Sequence, residues 1–353
     1  MNKRFIVLLT TLVFNIIFSI SSFAYDVEVD GIYYNLISNG NIAEVTNGDK
    51  EYSGDITIPS SIIVNEVEYP VISIGNRAFY SCNSLTSIII PNSVINIRDY
   101  AFQYCFNLIL VIIPNSVKSI GNGAFNGCIK LTSITIPNSV TNIGFFAFSS
   151  CSSLTSIIIP NSITNIEWCS FSNCSSLTSI TIPNSVTSIE DQAFSGCSSL
   201  TSITIPNSVT VINNYAFANC SNLENVYCYV ENLFYIGNDI FKDSYIKYAT
   251  LHVPSSSLSY YQTTEPWSGF GTINTLEGDG INNVSMRDIN IQSSGGFINI
   301  SGLNNNEKVS FYDIGGKSLG YTIAINGTTS FAAQSGSIVI VKIGRKSIKI
   351  VVQ

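Results

Sequence analysis

Charge is scarce in this chain. Of 353 residues only 11% are Asp, Glu, Lys or Arg, and 16 basic residues stand against 23 acidic ones, a net charge of −7. A nucleic-acid backbone as partner needs a basic patch, and this balance argues against one. Histidine occurs once, at His252. That leaves no imidazole set for a zinc site and one lone candidate for acid–base work. There is no Gly-rich phosphate loop, and Gly121-Asn122-Gly123 reads as punctuation between two repeats. The many serines come without a nucleophile-elbow motif. After residue 24 no apolar run is long enough to span a bilayer. Ser, Thr and Asn take the place of charge, which suits strands and turns.

Residues 1–24 read as a secretory signal. Lys3 and Arg4 form a basic start, Phe5 to Ile20 are mostly apolar, and Ser22-Phe23-Ala24 fits a small-residue cleavage site. The alternative is an uncleaved anchor helix. Removing Lys3 and Arg4 leaves 14 basic residues against 23 acidic ones, a charge of −9 on the processed chain.

The dominant signal is repetition. Cys82, Cys105, Cys128, Cys151, Cys174, Cys197 and Cys220 are spaced 23 apart throughout, and columns of Leu (from Leu85), Phe (from Phe79) and Pro (from Pro91) keep the same period. In Leu200-Thr-Ser-Ile203-Thr-Ile205-Pro206, inward Ile alternates with outward Ser and Thr, the pattern of a half-buried strand. Pro206 ends the strand because it has no N–H for a further ladder bond. Asn207-Ser208 supply turn chemistry through side-chain bonds to the backbone. Val209, Ile212, Ala216 and Phe217 return the chain to the core. One such coil cannot bury its apolar set alone, so each copy serves as the hydrophobic lid of its neighbour.

The pattern L-x-x-I-x-I-P-N-S-V-x-x-I-x-x-x-A-F-x-x-C resembles the BspA-like class of bacterial leucine-rich repeats, from about Val71 to Ile273. The resemblance implies a mainly β fold: a right-handed leucine-rich repeat solenoid with a parallel β-sheet on one face. Members are surface or secreted proteins, and some bind host matrix or plasma proteins. On this reading residues 25–70 form an N-terminal β cap, 71–249 the solenoid, and 250–275 a closing cap with a last strand and a short helix from Ser255 to near Trp267. Residues 276–287 are a linker, whose acids lack the ligand spacing of a calcium loop.

Residues 288–353 change character. Short alternating runs (INIQSS, FINIS, KVSFYD, SIVIVKI, KSIKIVV) separated by Gly- and Asn-rich turns indicate a small C-terminal β-sandwich. Asp313-Ile-Gly-Gly316-Lys317, Ser337 to Ile343 and Lys346 to Val352 resemble the C-terminal sorting domain of type IX secretion cargo, although a Pro-containing turn common early in that domain is absent. The resemblance implies a Gram-negative host and recognition by its secretion machinery. An ordinary accessory β-sandwich is the alternative.

Nine cysteines in an exported chain suggest disulfides. Here seven share one repeat column, where in-register neighbours hold their Cβ atoms near 4.8 Å apart, longer than the ~3.8 Å of a bridge. They read as buried thiols filling core space. Cys228 falls 23 after Ile205 and takes an inward strand slot. Cys169 replaces a variable residue, so a bridge or metal role stays open for it alone.

In a solenoid the outward variable positions carry function. Most outward strand residues are Ser or Thr. Ile89, Leu110, Ile112 and Ile158 are not, and together they would make an apolar spot on the open sheet face, or they simply follow the strand preference of β-branched residues. A second group, Phe145, Phe146 and Trp168 with Tyr100 two coils back, breaks a polar loop column before Ala-Phe. These aromatics are interface anchors or packing between coils. The coils at 174–219 are close to consensus and read as spacer. The combined reading is an exported, cell-surface-associated, non-catalytic module that binds a protein ligand and needs no cofactor or metal. A structural surface component without a ligand is the first rival, and a secreted hydrolase using His252 the second.

Overall fold

The computed structural model describes residues 25–231, 234–276, 289–294, 296–313, 317–334, 336–343 and 346–352. The signal reading of residues 1–24 lies outside them, as do residues 277–287 of the linker and residues 314–316 of the sorting-like motif.

One coil shows how the repeat folds. Ser179–Thr181 is a short strand with Ile180 inward. Pro183-Asn184-Ser185 turns the chain, and Ser185 Oγ donates to the carbonyl of Ile163 in the preceding coil at 2.6 Å. The turn serine thus ties coil to coil. Equivalent bonds run from Ser116 to Val94 and from Ser139 to Val117. Ser188–Ile189 forms a second, two-residue strand, and Ala193-Phe194 closes the coil. Leu177, Ile180, Ile182, Val186, Ile189 and Phe194 are all buried. At roughly 1.5–3 kcal/mol for each such side chain, burial outweighs any one inter-coil hydrogen bond, worth about 1 kcal/mol.

Stacking these coils lines up two faces of parallel strands, each divided into separately bonded sheets. On the main face Ser53–Thr57 pairs with Ser84–Ile89, which pairs with Leu110–Ile112. Ser133–Thr135 pairs with Ser156–Ile158. Ser179–Thr181, Ser202–Ile205, Asn225–Cys228, Thr250–Val253 and Thr272–Thr275 follow in order. The second sheet comes from the Asn-Ile and Ser-Ile pairs, such as Asn96–Ile97 beside Ser119–Ile120. Sequence reading placed these residues in the core but not in a ladder, because two residues show no alternation.

The main sheet reaches back into the segment expected to cap the array, since Ser53–Thr57 already lies parallel to Ser84–Ile89. Ahead of it, Val27–Val29, Ile32–Ile37 and Ile42–Thr46 form an antiparallel meander that joins the second sheet beside Val67–Ile74. At the far end the main sheet keeps the 23-residue step to Cys228, opposite Ile205, whereas Tyr235 faces Val211 one residue late. The extra residue therefore lies between Cys228 and Tyr235. The expected closing helix is a 3-10 turn at Ser255–Ser257, an α-helix at Leu258–Thr263 and a second 3-10 turn at Trp267–Gly269.

The repeated phenylalanines form a file of stacked rings. From Phe79 through Phe217 to Phe241, successive centroids lie 4.9–5.7 Å apart and the planes stay within 17° of parallel. Tyr52 is tilted 42° against Phe79, and Trp267 stands 71° to Phe241. A crossed ring offers no parallel face to a further rung, so the file stops at both ends.

The tail has its own core. Asn290–Ser294, Phe297–Ser301 and Thr328–Ala332 form one antiparallel sheet. Ser318–Ile323, Lys308–Tyr312, Ile338–Ile343 and Lys346–Val351 form another. Phe311 of the second stacks on Phe331 of the first at 4.0 Å, as in the expected sandwich. No helix among the described residues is long and apolar enough to cross a membrane.

Candidate functional site

The flank that carries Ala-Phe has an unusual backbone. In every coil two positions four residues apart are left-handed. One column holds Arg77, Tyr100, Gly123, Phe146, Cys169, Gln192 and Tyr215; the other runs from Ser81 through Tyr104, Gly127, Ser150, Asn173 and Gly196 to Asn219. Non-glycine residues seldom adopt this conformation. Here it lets alternate amides point along the axis. Arg77, Phe79 and Ser81 donate to Asp99, Ala101 and Gln103 of the next coil at 2.7–3.0 Å, and later coils repeat the set. Three inter-coil bonds per coil offset the backbone strain, roughly 1–2 kcal/mol per residue.

Beside this column runs a side-chain ladder. Asp99 Oδ1 accepts from the Asn122 amide at 2.7 Å, and Asn122 Oδ1 from the Phe145 amide at 3.0 Å. Asp191 accepts from Asn214, and Asn214 from Asn238. Phe145 and Trp168 interrupt it, since neither side chain has an acceptor for the amide of the next coil. They are about half exposed, at 45% and 43%. Trp168 packs edge-on against Phe146, centroids 4.7 Å apart, and reaches Phe145 at 6.5 Å. The structure thus brings these three together, with Phe146 half-buried and the rings of Phe145 and Trp168 exposed.

Tyr100 lies elsewhere on the same flank. Its ring covers Gly123. On its other side the Arg77 guanidinium sits 5.5 Å from its centroid and 5.7 Å from that of Tyr80. Tyr104 contacts both Tyr80 and Phe106. Arg77, Tyr80 and Phe106 are exposed, and sequence reading missed all three. The available signal was departure from consensus, since the Phe106 column turns to serine from Ser152 onward.

On the main sheet, Ile89 faces Ile112 across the ladder, and Leu110 lies beside Ser87. Ile158 stands two rungs further on, opposite Thr135. Ile89 and Ile158 are exposed, whereas Leu110 and Ile112 are half-buried. The four are therefore one close group and one outlier. Both candidate areas fall in the first coils. Tyr80, Tyr104, Phe106, Ile109, Ile129, Phe145, Ile158 and Trp168 are exposed, yet among described residues no large apolar side chain between Cys169 and Glu231 is.

The groups with chemical potential are all engaged in structure. His252 is buried, stacks on Tyr227 at 4.4 Å, and its Nε2 lies 3.1 Å from Asn225 Oδ1. All nine cysteines are free and buried, Cys169 among them. The ladder thiols also donate hydrogen bonds: Cys105 to the Phe79 carbonyl at 2.9 Å and Cys151 to that of Phe125 at 3.2 Å. Where the column ends, Ser244 Oγ makes the same bond to Phe217 at 2.6 Å. Burial pushes Cys82 up to about 11 and Cys197 up to about 12, so the nucleophilic thiolate is suppressed. Among the described residues no cluster of His, Cys, Asp or Glu is placed to hold a metal ion.

Comparison with known proteins fits this architecture. The model of the BspA type leucine rich repeat region matches residues 55–167 and 142–264, in six copies. Among solved structures, a leucine-rich repeat protein from Bacteroides ovatus ATCC 8483 is 26% identical with a TM-score of 0.50, over 72% of this chain and 77% of that one. The leucine-rich repeat protein of T. pallidum is 29% identical with a TM-score of 0.51, over 56% and 90%. No curated protein matches. With the family pattern spanning residues 55 to 264 and its columns realised as stacked rungs, the chain belongs to the BspA type leucine-rich repeat family.

Proposed function

We propose that this protein is an exported, cell-surface-associated module that binds a protein ligand without catalysis, through the aromatic flank of its first coils. One observation carries the reading. Phe145 and Trp168 replace the Asp/Asn acceptors of an otherwise structural ladder and leave their rings in solvent. Giving up two inter-coil bonds costs the fold about 1 kcal/mol each, whereas exposed aromatics are the usual anchors of protein interfaces. A host matrix or plasma protein fits the family's habits. Export rests on the pattern of residues 1–24, and the tail is read as a type IX sorting domain from its strand pattern. A panel of immobilised matrix and plasma proteins tests the binding. The wild type should bind at least one saturably, and replacing Phe145, Phe146 and Trp168 by Ser should abolish that binding with the melting curve preserved. Mass spectrometry of both ends of the protein taken from the native surface and medium tests export and tail processing.

A structural surface component without a ligand is the second reading, favoured by the near-identity and polar surface of the coils at 174–219. Absence of saturable binding across the panel would decide for it. The hydrolase reading has no support in the engaged geometry of His252, and His252→Ala should alter no activity.

A further inference from the structure

The Arg77 guanidinium lies against two aromatic rings. It lies within 5.7 Å of the ring centroids of both Tyr80 and Tyr100. It is exposed, and among the described residues it forms no ion pair. Two aromatic faces restrict its rotation, so the planar fork of N–H donors is set before any ligand arrives. The surrounding charge follows the same pattern. From Val71 to Ile166 the chain carries Arg77, Arg98, Lys118 and Lys130 against Asp99 alone, while residues 167–276 carry eight carboxylates against Lys242 and Lys247. Arg98 is already paired with Glu44 at 2.7 Å. Tyr80, Tyr104, Phe106 and Phe145 thus share their coils with this excess of cations, whereas Trp168 stands next to Glu167 and the exposed Phe234, Tyr235, Tyr245 and Tyr248 lie in the acidic coils.

These features lie along one line. Arg77, Tyr100, Gly123 and Phe146 occupy the same column, linked rung to rung by backbone bonds of 2.7–3.0 Å. At about 4.8 Å per rung, four rungs separate Arg77 from the level of Trp168 by roughly 19 Å, which an extended peptide of about six residues spans. Resting on the protein-binding reading above, we infer that the ligand of this flank is an acidic, extended peptide segment. Its carboxylate docks on the Arg77 fork and its apolar side chains reach the Phe146–Trp168 pair. The cation excess at the Arg77 end, from Val71 to Ile166, selects against a basic segment there.

Fluorescence anisotropy with the full chain and labelled octapeptides tests this. One set carries Asp-Glu at one end and Leu-Phe at the other; matched sets carry Gln-Gln or Lys-Arg in place of the acids. The acidic set should bind best. Arg77→Gln should weaken it about tenfold while leaving the Gln-Gln set unchanged. Arg77→Lys should weaken it less, and Arg77→Glu should turn the preference toward the Lys-Arg set. Trp168→Ser should weaken the acidic and neutral sets alike. Arg77 is exposed, so an unchanged melting curve for each variant shows that the fold is kept. Equal binding of acidic and neutral peptides, or no effect of Arg77→Gln, overturns the acidic assignment alone. If none of the three sets binds, the peptide assignment falls, and the panel of whole proteins then shows whether the protein-binding reading falls with it.

Discussion

The ring of Tyr100 occupies the space that a Cβ on Gly123 would need, its Cδ1 only 2.7 Å from that position. Gly123 also sits at φ +57°. The other non-glycine members of its column tolerate a similar φ, so the contact adds to the backbone cost. Gly123→Ala should destabilise the protein by about 1–3 kcal/mol in urea melts. Adding Tyr100→Ala should recover part of that loss, because removing the ring removes the clash. Strictly additive losses would mean that backbone conformation alone sets the cost.

Rebuilding the polar ladder should separate stability from binding. Phe145→Asn supplies an acceptor for the Trp168 amide, and Trp168→Asn one for the Asp191 amide, as Asn122 and Asp191 do in their own coils. The double variant should melt higher, by up to ~1 kcal/mol for each bond regained, while losing the ligand. A variant that is both less stable and non-binding would assign the aromatics to packing.

The cysteine column predicts a substitution order. Cys151→Ser keeps a donor for the Phe125 carbonyl, as Ser244 does for Phe217, and should cost less than Cys151→Val, which loses the donor and adds a branch. The expected gap is about 1 kcal/mol, measured by chemical denaturation under reducing conditions.

Alkaline pH should unfold the protein steeply. Each buried thiol titrates higher in the folded chain than its ordinary 9.0, with Cys197 at about 12. Between those two values the unfolded chain has released the proton and the folded chain still holds it, so stability drops as pH rises. The slope approaches ~1.4 kcal/mol per pH unit for each thiol. Below about pH 8 this contribution is complete and flat. Denaturation midpoints recorded from pH 7 to 11 check the sign, and thiol labelling at pH 8 should stay negligible until the chain is unfolded.

Phe148 sits between Phe125 and Phe171 at 5.4 and 5.6 Å. Phe148→Ala should cost about 3–5 kcal/mol. It should also split the unfolding transition, because coils on either side lose their shared packing. A single transition, merely shifted, would argue against nearest-neighbour coupling.

The array was legible in the sequence because its columns are strict. Leu85, Phe79 and Cys82 each recur with one period and each is buried, so periodicity and burial carry the same information. The first left-handed column was not legible, since Arg77, Tyr100, Phe146 and Cys169 are residue types that give no hint of positive φ. Their conformation is imposed by hydrogen bonds to the next coil, which are non-local. The second sheet stayed hidden for a similar reason, as Asn96–Ile97 is too short to show a pattern. At the candidate site Phe145, Phe146 and Trp168 stood out against a polar column. Arg77 and Tyr80 did not, because Arg77 reaches Tyr100, and Tyr80 reaches Tyr104, only through contacts between coils.

Alternate amides of the Ala-Phe flank donate forward, from Arg77 to Asp99 and from Phe79 to Ala101, whereas Ile95 and Arg98, flanking the strand Asn96–Ile97, donate backward to Ile72 and Ile74. These two rows of peptide dipoles therefore point in opposite directions along the rod. An α-helix of comparable length aligns all its peptide dipoles and accumulates partial charge at its ends; here the two rows oppose one another. Each added coil extends both rows at once, so lengthening the array builds no one-directional dipole from these two flanks.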